Sequence, residues 1–280
     1  MLVNNTPVEV HAINGRSIYV KREDLCAPYP GPTFAKIRGV VEHLRNRPEE
    51  TIGVLDTAHS KAGWAVSYVC RHLGKQCVNF WPRRVSEGPE PRRFQVESAK
   101  NGATLVELQA GRSSVLYHQA RKLLPRGAYL MPNALKLPES VSENAEEARR
   151  TIRCGNIPDH GTVILSVSSG TVAAGVMLGL RDVPGLRFLL HMGYSRSTDA
   201  VTDYIERCAP GMPWDRVRFV DQGYTYADYA RKSSLPCPFP TNPYYDGKAW
   251  RWLVDDTMDG VPTIEALAPQ GPIIFWNIGD

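Results

Sequence analysis

The run at residues 162–168, Thr-Val-Ile-Leu-Ser-Val-Ser, is apolar at consecutive positions rather than at alternate ones. A strand with one wet face alternates, whereas a strand covered on both faces does not. The run passes straight into Ser169-Gly170-Thr171 and then into residues 172–180, a stretch of Val, Ala, Gly, Met and Leu. Buried strand, tight turn and small-residue helix, in that order, specify a parallel sheet with helices packed on it.

The same alternation recurs along the chain. Strands are expected at residues 17–21, Thr51–Leu55, 77–81, 104–108, 128–131, 186–192, 216–220 and 272–277. Helical spacing appears at residues 33–45, 63–73, 113–124, 142–153, 172–180 and 248–258. Gly74 suits a helix C-cap, Pro82 is expected to end the strand before it, and the helix at 142–153 starts acidic and ends basic. The strand–helix units between residues 40 and 131 read as a smaller α/β domain inserted in a larger one, made of 1–39 plus 132–280. The expected class is α/β: two three-layer α/β/α domains with mainly parallel sheets.

With 42% hydrophobic and 22% charged residues, the 280-residue chain is neither disordered nor a coiled coil. No apolar run approaches the ~20 residues that span a bilayer. A net charge of +4 does not by itself imply nucleic-acid binding. Arg83, Arg84, Arg92 and Arg93, however, flank a Pro/Gly/Glu stretch, and read either as a solvated surface or as a patch for an acidic partner. The six cysteines form no C-x-x-C pair and the histidines no H-E-x-x-H, so no metal site is expected. Scattered cysteines and an N-terminus without a signal-like pattern give the expectation of a cytoplasmic protein.

Two segments could carry chemistry. The turn Ser168-Ser169-Gly170-Thr171 would present backbone N–H groups and hydroxyls at the positive end of a helix, which suits a phosphate-sized anion. It is neither a Walker A loop nor G-x-G-x-x-G, and it reads equally as a capped helix packed closely on its sheet. Lys36, in Thr33-Phe34-Ala35-Lys36-Ile37-Arg38-Gly39, lies at a helix start in a largely uncharged stretch. Desolvation there would lower its pKa and allow Schiff-base formation; taken alone, it reads rather as an ordinary surface lysine.

Together these segments resemble the fold-type II pyridoxal-phosphate (PLP) enzymes, the tryptophan synthase β-like superfamily. Lys21-Arg22-Glu23-Asp24-Leu25 is similar to the family's K-R-[ED]-D-L box, and T-F-A-K-I-R-G to the box holding the Schiff-base lysine. Ser60-Lys61-Ala62 through Gly74 resembles its S-N-H segment and following helix. Pro243-Tyr244-Tyr245-Asp246-Gly247-Lys248-Ala249 and residues 272–279 resemble the 1-aminocyclopropane-1-carboxylate (ACC) deaminase and D-cysteine desulfhydrase group. The resemblance implies PLP as cofactor, a homodimer, and carbanion chemistry (elimination or deamination) on a small amino acid.

It also implies roles, position by position. Lys36 would carry the cofactor and then move protons at the substrate. Ser168, Ser169, Gly170, Thr171 and Val172 would bind the phosphate. Tyr245 would pack on the pyridine ring as a catalytic residue, and Asp246 would face the pyridine nitrogen and keep it protonated. Ser60 would meet the substrate carboxylate. Lys61 stands where the family has Asn, and would pair with the cofactor's phenolic oxygen or with that carboxylate; alternatively Ser60 and Lys61 only cap a helix. Ala62 replaces the usual His, and Asn277 and Ile278 replace a closing His-Thr.

Two other readings stay open. The basic cluster and Lys61 suit a PLP-dependent decarboxylase or rearrangement enzyme acting on an amino acid attached to a modified nucleotide or DNA, as in phages. The departures at Lys61, Ala62 and Ile278 suit a degenerate protein that binds PLP or a phosphate ligand without turnover.

Overall fold

The computed structural model describes residues 2–13, 15–57, 59–83, 90–109, 111–225, 228, 233, 235–255, 263–267 and 271–279. The chain divides into two compact units, one of Met1–Leu2, Ala27–Pro32 and Lys36–Ser140, the other of Val3–Cys26, Thr33–Ala35 and Val141–Asp280.

The first unit carries a four-stranded parallel sheet of β3 (Thr51–Leu55), β4 (Gln76–Arg83), β5 (Thr104–Gln109) and β6 (Tyr129–Leu130), in the order β5-β4-β3-β6. Its helices are α1 (Ile37–Arg45), α2 (Ala62–Leu73), α3 (Arg93–Lys100) and α4 (Ser113–Leu123). Leu55, Phe80, Leu108 and Leu130 of the strands bury against Leu116 and Ala120 of α4. α2 covers β3 and β4 and ends at Gly74 in the left-handed conformation.

Three expectations change here. The helix foreseen from residue 33 starts at Ile37, and Lys36 is its N-cap. α1 packs on α2, and Met1–Leu2, Ala27–Pro32, Lys36–Gly39 and residues 132–140 group with the first unit, whereas the sequence had placed them in the larger domain. β4 also runs through Pro82 instead of stopping before it. The proline is tolerated because β3 pairs with β4 only as far as Leu55 opposite Phe80, and Pro82 faces β5 alone.

The second unit has a six-stranded sheet in the order β1-β2-β10-β7-β8-β9. These are β1 (Val8–Ile13), β2 (Arg16–Arg22), β7 (His160–Val167), β8 (Gly185–Met192), β9 (Val217–Asp221) and β10 (Ile273–Asn277). All pairings are parallel except β1 with β2. The unbroken apolar run in β7 is explained by what lies on each face. Val163, Leu165 and Val167 bury against α6 (Thr171–Leu180) and α7 (Thr198–Cys208), while Ile164 faces Trp250 and Leu253 of α8 (Asp246–Val254) and Ile264 of α9 (Ile264–Leu267). The small residues of α6 answer to α5 (Pro138–Arg153): a Cβ on Gly179 would lie 2.4 Å from the Ala145 carbonyl oxygen. β1, α3 and α7 escape the sequence reading, and the last helix starts at Asp246 rather than Lys248. Residues 256–258, expected in that helix, lie outside the described residues.

The K-R-E-D-L box has a structural task inside this unit. Lys21, fully buried, donates to the Thr6 carbonyl at 2.7 Å and to Glu147 Oε1 at 2.8 Å. Glu147 also accepts from the Asn5 and Thr6 backbone N–H groups and from Arg150. Arg22 forks onto Asp24 at 2.9 and 2.7 Å, and Asn277 donates to the same carboxylate at 2.8 Å. Asn277 is thus a buried link from β10 to the box. Among the described residues, no helix is long and apolar enough to cross a membrane.

Candidate active site

In the first unit Lys36 is 7% exposed and donates to the Ala134 carbonyl at 2.7 Å. Burial, with the nearby Lys136 charge second, lowers its pKa to about 7. An ordinary lysine would be almost wholly protonated at neutral pH, whereas the lowered pKa gives Lys36 a larger neutral, nucleophilic fraction there. The acceptor is itself unusual: Ala134 and Leu135 both have positive φ, 58° and 49°, which side-chain-bearing residues seldom adopt. Capture of an aldehyde by Lys36 should therefore follow an apparent pKa near 7, and Lys136→Ala should move that midpoint upward. Stopped-flow absorbance against pH reads both.

Ser60 and Lys61 sit at the head of α2. The Ser60 hydroxyl accepts from the Ala62 N–H at 3.0 Å, so Ser60 does close the first turn. Lys61 holds the N-cap position without a side-chain cap bond, is 3% exposed, and lies over the Phe94 ring. Sequence reasoning missed the carboxylate beneath this turn. Asp56 is fully buried, accepts from Gln95 at 2.9 Å and Asn79 at 3.4 Å, and has its pKa raised to about 6 by burial. A Cβ on Gly63 would lie 2.6 Å from that carboxylate, so the glycine lets α2 sit directly on it.

In the second unit the turn after β7 opens α6, as foreseen. Gly170 is its N-cap with φ 87°, and Ser169 Oγ lies 3.2 Å from Thr171 Oγ1. Val172 follows in the first turn and is buried. Two residues outside the sequence expectation brace the loop. Arg196 donates to the carbonyls of Ser168 and Ser169 at 3.3 and 2.8 Å and to Ala200 O at 2.8 Å. Tyr204 places its hydroxyl 2.9 Å from Thr171 Oγ1, and its ring would meet a Cβ at Gly170 at 3.0 Å. A guanidinium that engages the loop's carbonyls fixes the peptide planes whose N–H groups an anion would use. Arg196→Ala should weaken PLP binding about ten-fold while leaving binding of pyridoxal, which lacks the phosphate, unchanged in a fluorescence titration.

Tyr245 and Asp246 join the Pro243–Ala249 segment to α8. Tyr245 is the N-cap and Asp246 the first helical residue, 2% exposed. Asp246 is thus a buried carboxylate in the first turn of α8. Lys248, also buried, donates to the carbonyls of Gly193 and Asp228 at 3.1 and 3.2 Å. Fully buried His191, another omission of the sequence reading, bonds Gln222 at 2.7 Å, and burial lowers its pKa to about 4.

These residues fit PLP when each unit is taken by itself. The first supplies a buried amine of lowered pKa for the aldehyde. The second holds a turn at 168–171 whose N–H groups would suit a phosphate, and a buried carboxylate that could pair with a protonated ring nitrogen.

The comparisons with known proteins agree. The family of pyridoxal-phosphate dependent enzymes matches residues 1–195. A curated relative from Pseudomonas phage M6, named glycyl-dTMP PLP-dependent decarboxylase, is 56% identical, with all of both chains covered. Among solved structures, an ACC deaminase homologue matches with a TM-score of 0.74 and 17% identity, covering 98% of this chain and 89% of its own. A PLP-dependent aspartate racemase (TM-score 0.66, 16% identity, 98% and 90% covered) and maize serine racemase (0.66, 15%, 98% and 88%) share the fold as well. The fold is the fold-type II, tryptophan synthase β-like architecture, and its neighbours include ACC deaminase-like proteins. With PLP as its cofactor, this chain belongs to the family of pyridoxal-phosphate dependent enzymes.

Proposed function

We propose that this chain is a PLP-dependent decarboxylase whose substrate is an amino acid carried on a nucleotide, a glycyl group on dTMP. The observation that carries this reading is the 56% identity, over the full length of both chains, to the glycyl-dTMP decarboxylase of Pseudomonas phage M6. It displaces the elimination or deamination of a free small amino acid suggested by the ACC deaminase resemblance. At 17% identity that likeness speaks for the fold and not for the reaction.

Bound PLP supplies an electron sink for the charge that develops on the substrate carbon. The residues proposed to serve it are Lys36 and Lys61 of the first unit, with residues 168–172, Tyr245 and Asp246 of the second. Lys36 holds the cofactor, and its amine, once released, carries a proton to the carbon that loses the carboxyl group. Its lowered pKa lets it both attack and donate at neutral pH. Asp246 keeps the ring nitrogen protonated. Tyr245 packs against the ring. Residues 168–172, held by Arg196 and Tyr204, take the phosphate. Ser60 orients the substrate carboxylate, and Lys61 offers it a buried counter-charge that an Asn would not.

The test is release of labelled carbon dioxide by PLP-loaded enzyme from carboxyl-labelled glycyl-dTMP and, separately, from labelled glycine. Release from the nucleotide conjugate alone is expected. Equal release from both would overturn nucleotide attachment, and release from neither, with ammonia formed from ACC, would restore the deaminase reading.

A further inference from the structure

In the second unit, the C-terminal ends of β7 and β8 carry two buried polar side chains that have no part in the proposed chemistry. Ser166 and His191 stand opposite each other in the parallel register. They lie on the face that packs under α8, since Ile164 and Leu189, two residues earlier in each strand, bury there. Ser166 is 7% exposed and His191 fully buried. Among the described residues, neither Ser166 Oγ nor His191 Nδ1 has a hydrogen-bond partner. A buried polar atom without a partner is costly, so each calls for one.

The two atoms converge on Gly193. A Cβ built on that glycine would lie 3.6 Å from Ser166 Oγ, 3.6 Å from the Tyr245 carbonyl oxygen and 3.8 Å from His191 Nδ1, with nothing nearer outside the adjoining chain. The glycine therefore leaves room for one more atom among three polar ones. The His191 ring is held in place: Nε2 bonds Gln222 Oε1 at 2.7 Å, and Trp252 and Tyr224 flank it with ring centres 6.0 and 6.4 Å away. Gln222 Oε1 also accepts from the Tyr224 hydroxyl at 3.3 Å. An oxygen that accepts from both puts the ring proton on Nε2 and a lone pair on Nδ1. The place thus offers two acceptors, Nδ1 and the carbonyl, and one hydroxyl to donate. Two acceptors disfavour an anion. The Lys248 ammonium, 3.1 Å from the Gly193 carbonyl oxygen, disfavours a cation. A water, which donates twice and accepts once, matches all three atoms.

The Tyr245 carbonyl belongs to the peptide that leads into Asp246. It accepts from the Lys248 N–H at 3.0 Å in the first turn of α8, and a carbonyl oxygen takes more than one bond. We propose that Ser166 and His191 are positioning residues: through one water seated on Gly193 they hold the Tyr245–Asp246 peptide, and so aim the Asp246 carboxylate at the cofactor's ring nitrogen. This rests on the reading of Asp246 as the partner of that nitrogen.

A crystal structure of the PLP-loaded enzyme should show a water about 2.7–3.2 Å from Ser166 Oγ, His191 Nδ1 and the Tyr245 carbonyl oxygen, and a dry site overturns the proposal. Nuclear magnetic resonance of enzyme loaded with PLP carrying nitrogen-15 in the ring tests the consequence. Wild-type protein should keep the ring nitrogen protonated at neutral pH, and Asp246→Asn should lose that proton. Gly193→Ala places a methyl group in the water's seat, and should shift the signal part of the way toward that of Asp246→Asn. Ser166→Ala, which removes the donor to the water, should shift it in the same direction. Gly193→Ser places a hydroxyl there instead and should restore the wild-type signal. Circular dichroism confirms that each variant is folded. A wild-type signal in Gly193→Ala and Ser166→Ala, with Asp246→Asn shifted, overturns the water link and leaves the Asp246 reading standing. Equal shifts in Gly193→Ala and Gly193→Ser also overturn the link, since bulk alone would then act. A wild-type signal in Asp246→Asn overturns both.

Discussion

Lys36→Ala should abolish covalent capture of the cofactor and lower turnover by at least 10²–10⁴-fold, the range that a positioned proton-transfer group contributes by itself. The side chain is buried, and its amine donates to the Ala134 carbonyl at 2.7 Å. Far-ultraviolet circular dichroism of the variant checks that it is folded. Borohydride reduction followed by intact-mass measurement reads the effect directly. Wild-type protein should gain the mass of one reduced cofactor and the variant none. Equal labelling of the two would assign the cofactor to another lysine.

The second large effect concerns stability. Glu147→Ala should cost about 3–5 kcal/mol, the usual penalty for removing one partner of a buried ion pair. Glu147 is 1% exposed and answers Lys21 at 2.8 Å, while the Lys21–Glu23 separation is 3.9 Å. Its loss takes the 2.8 Å partner from a fully buried ammonium and the acceptor from two backbone N–H groups. Glu146 provides the contrast on the same helix. It pairs with Arg149 and Arg153 at the exposed surface, so Glu146→Ala should change stability by less than about 1 kcal/mol. Denaturant unfolding of both variants decides the matter, and similar midpoints would show that the Lys21 network does not hold the unit together.

That network shows where the sequence was legible and where it was not. The K-R-E-D-L box was visible as a motif, but its partners Thr6, Glu147 and Asn277 are remote in sequence, and nothing local announces a bond over such separations. The phosphate-loop candidate was legible because strand, turn and helix are contiguous, and each has its own pattern. Its brace was not, because Arg196 and Tyr204 come from the next helix connection. A signal was available there: Ser197 caps α7 through the Ala200 N–H at 3.3 Å, and Val201, Tyr204, Ile205 and Cys208 follow at helical spacing. β1 was missed because an edge strand with half-exposed residues has weak alternation, and Pro82 misled because a proline's cost depends on which neighbour strand is present. The lysine motif pointed to Lys36, but the helix was expected four residues too early, and the lowered pKa of Lys36 depends on burial and on Lys136, which no pattern around residue 36 reveals.

The reaction itself separates the two chemistries that this fold could serve here. The most direct measurement is mass spectrometry of the product formed from glycyl-dTMP by PLP-loaded enzyme in deuterated water. The proposed decarboxylase should yield a product that has lost carbon dioxide, kept its nitrogen and gained one deuterium on the carbon that bore the carboxyl group, and Lys36→Ala should yield none. A product that keeps the carboxyl group and loses the nitrogen would contradict the account.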